Sequence, residues 1–145
     1  MAEPLGTVLA FDFGMKRVGV AVGQDVTGTA SPLVVLPARD GQPDWNEVAR
    51  ILETWKPVRL VVGLPLNMDG TDTSITPNAR KFGKRLHGRF GLPVSWVDER
   101  LTTREVRHDI EQRSPARGQR HLKVDAMAAA VILESWFRQA REEAE

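Results

Sequence analysis

Apolar and polar positions alternate with a period of two in two runs near the start of the chain, Thr7–Phe13 and Arg17–Gly23, on either side of the turn-forming stretch "GMK". This pattern predicts a hairpin. Val8, Ala10, Asp12 and Gly14 fall on one face of its first strand, and Leu9, Phe11 and Phe13 on the other. Leu33–Leu36, after Pro32, reads as a short third strand. In "DWNEVARILETWK" the period changes to that of a helix, with Trp45, Val48, Leu52 and Trp55 on one face. Asp44 and Glu47 form a capping-box pattern at its start, and Pro57 ends it. "VRLVVGLP" is apolar on both faces, as in a strand of a parallel sheet, and "PLNMDGTD" is a loop by its turn residues. A second helix runs from about Thr76 to Phe90, turning Ala79, Phe82, Leu86 and Phe90 inward and stopping at Gly91 and Pro93. "PVSWVDE" is another strand, Thr102 with Glu105 opens a third helix, "RSPARGQRH" is a loop, and "LKVDAMAAAVILESWFRQ" is the last helix. The order β-β-β-α-β-α-β-α-α predicts an α/β fold, a mixed sheet with helices on its faces.

Composition narrows the function classes. A chain of 145 residues, 41% hydrophobic and 27% charged, suits one soluble domain spanning residues 1–145. The net charge of +1 means that any surface for a polyanion must be local. The absence of cysteine excludes a disulfide framework and thiolate catalysis, and suits a reducing compartment. The first residues lack the cationic and long apolar segments of a signal peptide, and no apolar run approaches the ~20 residues of a membrane span. A cytoplasmic protein with no membrane partner is expected.

One residue breaks the pattern. Asp12 sits between Phe11 and Phe13, where strand propensity disfavours an acid, and an ionised carboxylate left there without partners costs several kcal/mol. A strand-ending Asx turn accounts for it about as well as chemistry does. Two further acid sites shift the balance. Asp98 and Glu99 arrive at the C-terminal end of a strand, where ligands of α/β sheets usually sit; alternation puts them on opposite faces, so only one need point at a given site. Asp125 opens the last helix, where an acid also complements the helix dipole. The alanines at 126, 128, 129 and 130 let that helix pack tightly, and the small residues Gly19 and Ala21 of the second strand are the natural seat. Such packing brings Asp125 over the strand that carries Asp12. Carboxylates gathered from segments this distant repel one another. A hard cation relieves the repulsion, and an oxygen-only donor set suits Mg2+ or Mn2+. Ions of this kind activate water in phosphodiester hydrolysis. His87, His108 and His121 are scattered and read as surface residues, so a zinc site is not expected.

The stretches "FDFGMKRVGVAVG", "VVGLPLNMDGT", "VDERLTT" and "KVDAMAAAVILES" together resemble the bacterial YqgF family, proposed Holliday-junction resolvases and pre-16S rRNA nucleases. The likeness covers about Leu9 to Trp136. It implies a ribonuclease H-like fold with a mixed five-stranded sheet and helices on both faces. It also implies that Asp12, Glu99 and Asp125 are the catalytic, metal-binding acids, and it is the resemblance that selects Glu99 over Asp98. The function it implies is a metal-dependent endonuclease that processes the 5′ end of pre-16S rRNA, with pre-ribosomal particles as partners; the alternative is resolution of Holliday junctions in DNA.

Local charge agrees with a nucleic-acid substrate, structured RNA or branched DNA. Arg113, Arg117, Arg120 and Lys123 crowd a stretch without acids between two of the proposed catalytic residues, and Lys16 and Arg17 lie close to Asp12. These six are the candidate phosphate contacts. Arg80, Lys81, Lys84, Arg85 and Arg89 are read as the solvated face of the second helix. Asn67, Asp69 and Thr71 are explained nearly as well by turn chemistry as by a role in the site. Few aromatic residues read as exposed, so base stacking is not expected. No heptad or apolar stripe selects between monomer and homodimer. Two other readings remain open: an actin-like nucleotide-binding domain, for which the chain holds only one copy of the "DFG" hairpin, and a non-catalytic nucleic-acid or ribosome-assembly module.

Overall fold

The computed structural model describes residues 6–102, 108, 110, 112 and 120–144. Its strands are β1 (Thr7–Asp12), β2 (Arg17–Gln24), β3 (Thr29–Arg39), β4 (Gln42–Pro43), β5 (Arg59–Leu64) and β6 (Val94–Asp98). Its helices are α1 (Trp45–Trp55), α2 (Thr76–Phe90) and α3 (Arg120–Ala144). The strands form one mixed sheet in the order β4-β3-β2-β1-β5-β6. The meander β1 to β4 is antiparallel, whereas β1, β5 and β6 run parallel.

The expected five strands are six. Asp40 and Gly41 both take positive φ, at 52° and 80°, the signature of a tight hairpin turn. They fold Gln42–Pro43 back onto Ala38 and Arg39 as the short strand β4. The third strand is also longer than its apolar stretch suggests. It runs through Pro32 and Pro37, and its register against β2 shifts between Val20 and Ala21. The helix expected from Thr102 lies mostly outside the described residues; within it His108, Ile110 and Gln112 are helical, and Ile110 is buried.

Alternation along β1 and β2 sorts the core into two layers. Leu9, Phe11, Phe13, Val18 and Val20 meet α1 and α2 through Val48, Leu52, Ala79, Phe82 and Leu86. Phe82 is the hub, with ring centroids 5.7 Å from Phe11, 5.3 Å from Phe13 and 5.7 Å from Trp45. Each such pair adds about 0.5–1.5 kcal/mol beyond its buried area. Asp44 caps α1 by accepting from the Asn46 amide, and Gly91 ends α2 at φ 69°. Trp55, expected inward, is 37% exposed at the end of α1.

The other face carries Val8, Ala10, Ala21, Val61 and Val97, covered by Ala129, Ala130, Ile132, Leu133 and Phe137 of α3. The alanines and the small strand residues allow backbone-to-backbone approach. A methyl group added at Gly19 would sit 2.0 Å from the carbonyl oxygen of Asp125, so no other residue fits there without moving the helix. Among the described residues no helix is long and apolar enough to cross a membrane.

Candidate active site

Because β1, β5 and β6 are parallel, their C-terminal ends meet at one rim of the sheet. Asp12 is the last residue of β1, and Glu99 directly follows β6. The Glu99 side chain bends over Gly63 of the intervening strand, where an added methyl would lie 2.8 Å from Glu99 Oε1. This space lets the two acids reach each other, and their carboxyls share a hydrogen bond. Two carboxyls can bond only with a proton between them. Burial favours the protonated form: it raises the pKa of Glu99 above its ordinary value, the bond with Asp12 pulls the other way, and the neighbouring charge of Asp98 raises it further.

Asp125 reaches the same rim from α3. Its backbone lies on Gly19, the cross-strand partner of Asp12. Its carboxylate accepts from Arg17 Nε at 3.2 Å, with the Arg17 side chain 65% exposed. Asp12 and Glu99 thus form a hydrogen-bonded pair at one end of the sheet, and Asp125 approaches the same end with its carboxylate held by Arg17. Among the described residues no three Asp, Glu or His side chains are already grouped as a cation cage.

Asp98 has a different task. It caps the single 3-10 turn Glu99–Leu101 by accepting from the Arg100 amide, and its carboxylate is gripped by the Arg100 guanidinium at 2.6 and 3.0 Å. The guanidinium holds the Asp98 carboxyl below its ordinary pKa. Arg100 also donates to the Met68 carbonyl at 3.0 Å, so one side chain ties the turn that aims Glu99 to the loop after β5. Sequence reasoning overlooked Arg100 as a tether. It also passed over Gly63, although a glycine inside an apolar strand signals a close approach.

The loop after β5 is braced internally. Asn67 Nδ2 donates to Thr71 Oγ1 and the Asp72 carbonyl, Asp69 accepts from the Thr71 amide and hydroxyl, and Asp72 pairs with Arg80. The hydroxyl of Thr76, at the start of α2, donates to the Pro65 carbonyl. Asn67, Asp69 and Thr71 therefore act on their own backbone. Lys16 lies exposed beside Arg17 in the β1–β2 turn. That turn is fixed by amides of Ala38 and Gly41 donating to the carbonyls of Lys16 and Met15. Arg120 and Lys123 fall in the first turn of α3, whereas Arg113 and Arg117 lie outside the described residues.

Known proteins share both the sequence and the frame. A protein of Actinobacillus succinogenes named "Putative pre-16S rRNA nuclease" is 55% identical over 133 residues, covering 92% of this chain and 95% of its own. A protein of the same name from Escherichia coli O7:K1 is 54% identical over 134 residues, covering 92% and 97%. Thermus thermophilus RuvC, solved with a Holliday junction, matches with a TM-score of 0.59 at 16% identity, over 95% of this chain and 96% of its own. The yeast mitochondrial Holliday junction resolvase Ydc2 matches with a TM-score of 0.59 at 13% identity, over 99% and 83%. At such low identities these structures speak for the fold alone, that of ribonuclease H-like resolvases. The RuvX family, described as Holliday junction resolvase, matches residues 6–139. With that match, and with relatives more than half identical over nearly their full length, the chain belongs to the RuvX family of nucleases.

Proposed function

We propose that this protein is a divalent-metal-dependent endonuclease that hydrolyses phosphodiester bonds of pre-16S rRNA at its 5′ end, with Asp12, Glu99 and Asp125 as its catalytic, cation-binding acids. The observation that carries this reading is the Asp12–Glu99 carboxyl pair at the end of the sheet, with the backbone of Asp125 seated on Gly19, the cross-strand partner of Asp12. Two carboxylates this close repel each other when both are ionised, and a hard cation relieves that repulsion. The donors are all oxygens, and Mg2+ or Mn2+ is satisfied by few carboxylates plus water and substrate oxygens; the residues fit such an ion. Bound there, the ion would polarise the phosphodiester and lower the pKa of an attacking water.

The chain's own groups supply the rest. Gly63 and the Arg100 tether hold Glu99 at the pair, and Gly19 holds Asp125 against the sheet. Arg17 pairs with Asp125 while its side chain stays largely exposed, so its guanidinium would be within reach of a substrate phosphate. Lys16, Arg113, Arg117, Arg120 and Lys123 are the further phosphate contacts of this reading. RNA is favoured over DNA by the names of relatives more than half identical to this chain.

The test incubates the protein with pre-16S rRNA and with four-way junction DNA, in Mg2+, in Mn2+ and in chelator. The expected result is cleavage of the rRNA precursor only with metal, lost by a factor on the order of 10²–10³ or more in Asp12→Asn and Asp125→Asn. Symmetric cutting of the junction with intact precursor transfers the reading to DNA. Undiminished cleavage by Asp12→Asn, or cleavage in chelator, overturns the metal-dependent acid site.

A further inference from the structure

The groove between α2 and the outer strand β6 has no part in the site described above. Trp96 forms its floor. Gly83 of α2 makes room for the indole, because a methyl there would lie 2.2 Å from the ring. The outer edge of the ring abuts the helix backbone at Gly83, and the ring remains 38% exposed. Lys84 and His87 line the same groove of about 430 Å3. His87 is oriented by donating from Nδ1 to the Leu92 carbonyl, 2.9 Å away. The helix is strongly cationic. Arg80, Lys81, Lys84, Arg85 and Arg89 stand in 15 residues without one acid, in a chain whose net charge is only +1. Arg80 is paired with Asp72 and Arg89 lies over Trp45. Among the described residues no carboxylate pairs with Lys81, Lys84 or Arg85.

We infer that this groove binds single-stranded nucleic acid, with a base stacked on the free face of Trp96 and backbone phosphates on Lys84 and its neighbours. A pinned, half-exposed indole beside unpaired cations is the combination that single-strand-binding surfaces use. Trp96 lies three residues before Glu99, about 10 Å along the strand. β6 ends the sheet, so a strand leaving the acid site reaches the groove by turning over that edge. The groove then grips the flank of a substrate whose bond is cut at the rim. This assignment extends the nuclease reading, but binding here needs neither metal nor cleavage.

The experiment therefore measures binding, in chelator and in the Asp12→Asn background. The probes are RNA and DNA homo-oligomers of about ten nucleotides, labelled for anisotropy, and a second set carrying 2-aminopurine. Trp96→Leu should weaken binding about ten-fold or more, the loss of one base–aromatic stack, and abolish the quenching of 2-aminopurine seen with the parent. Lys84→Gln, a surface change that leaves the fold intact, should lower the slope of log affinity against log salt by about 0.7. A preference between the RNA and DNA arms identifies the strand. Parental affinity, quenching and salt slope in both variants would overturn the inference. Groove-dependent binding beside a parent protein that cuts neither precursor nor junction in Mg2+ or Mn2+ would instead sink the nuclease reading and leave this one standing.

Discussion

The seat of Asp125 on Gly19 gives the sharpest prediction. Gly19→Ala adds one methyl group, 2.0 Å from the Asp125 carbonyl oxygen, 2.4 Å from its carbonyl carbon and 3.0 Å from the Ala126 nitrogen. Ordinary contact between heavy atoms is about 3.5 Å, so the start of α3 must retreat by roughly 1.5 Å. All three clashes are with backbone, and no rotamer change relieves them. Overpacking of this kind costs about 1–3 kcal/mol, which for a chain of this size lowers Tm by about 3–10 °C. The effect on activity should be larger. Misplacing a catalytic group by about 1 Å costs on the order of 10²-fold, and Asp125 moves with its helix. Thermal unfolding followed by circular dichroism, beside single-turnover cleavage of the rRNA precursor well below Tm, separates the two effects. A variant with the parental Tm and cleavage rate would show that the close approach at Gly19 does not place Asp125, and the packing argument would fail.

Gly88→Ala is the opposite case: nothing lies within 4 Å of the added methyl, so on α2 it should stabilise by about 0.5–1 kcal/mol, read as a higher Tm with unchanged cleavage. Burial raises the pKa of Glu99, so its ionisation destabilises the fold as pH rises through that raised value. In chelator, Glu99→Gln should therefore melt above the parent at neutral pH, lose that advantage below about pH 4, and cut nothing. Arg100 lowers the pKa of Asp98, so that contribution is present above the unfolded value and fades as pH falls through the folded one. Asp98→Asn should melt below the parent at pH 7, match it in strong acid, and slow cleavage by loosening Glu99.

The strands and helices that face the core were readable because each shows a single period. α2 runs from Thr76 to Phe90 as its apolar spacing requires, and the small face of β2 announced the alanine-rich helix that covers it. β4 escaped because two residues carry no periodicity; the Asp40–Gly41 dipeptide was its only local trace. The meeting of Asp12 with Glu99 depends on parallel strands brought together across more than 80 residues of chain, and alternation alone left Asp98 and Glu99 equivalent. What separates them is in part local, since Asp98 finds Arg100 two residues on, and in part tertiary, since Glu99 finds the gap above Gly63. Strand alternation said nothing of the exposure of Trp96, which follows from the position of β6 at the end of the sheet.

The two borders of the sheet are finished differently. On one side the two-residue strand β4 covers only Ala38 and Arg39 of β3; along the rest, the Ala38 amide turns inward to the Lys16 carbonyl, so the neighbouring Pro37 turns its donorless nitrogen outward, and the Ala30 amide is taken by the buried carboxylate of Glu134. That border offers few hydrogen bonds to a foreign strand and resists stacking into aggregates. Val94–Asp98 on the far side contains no proline, so the chain keeps one border that can accept a guest and one that refuses it.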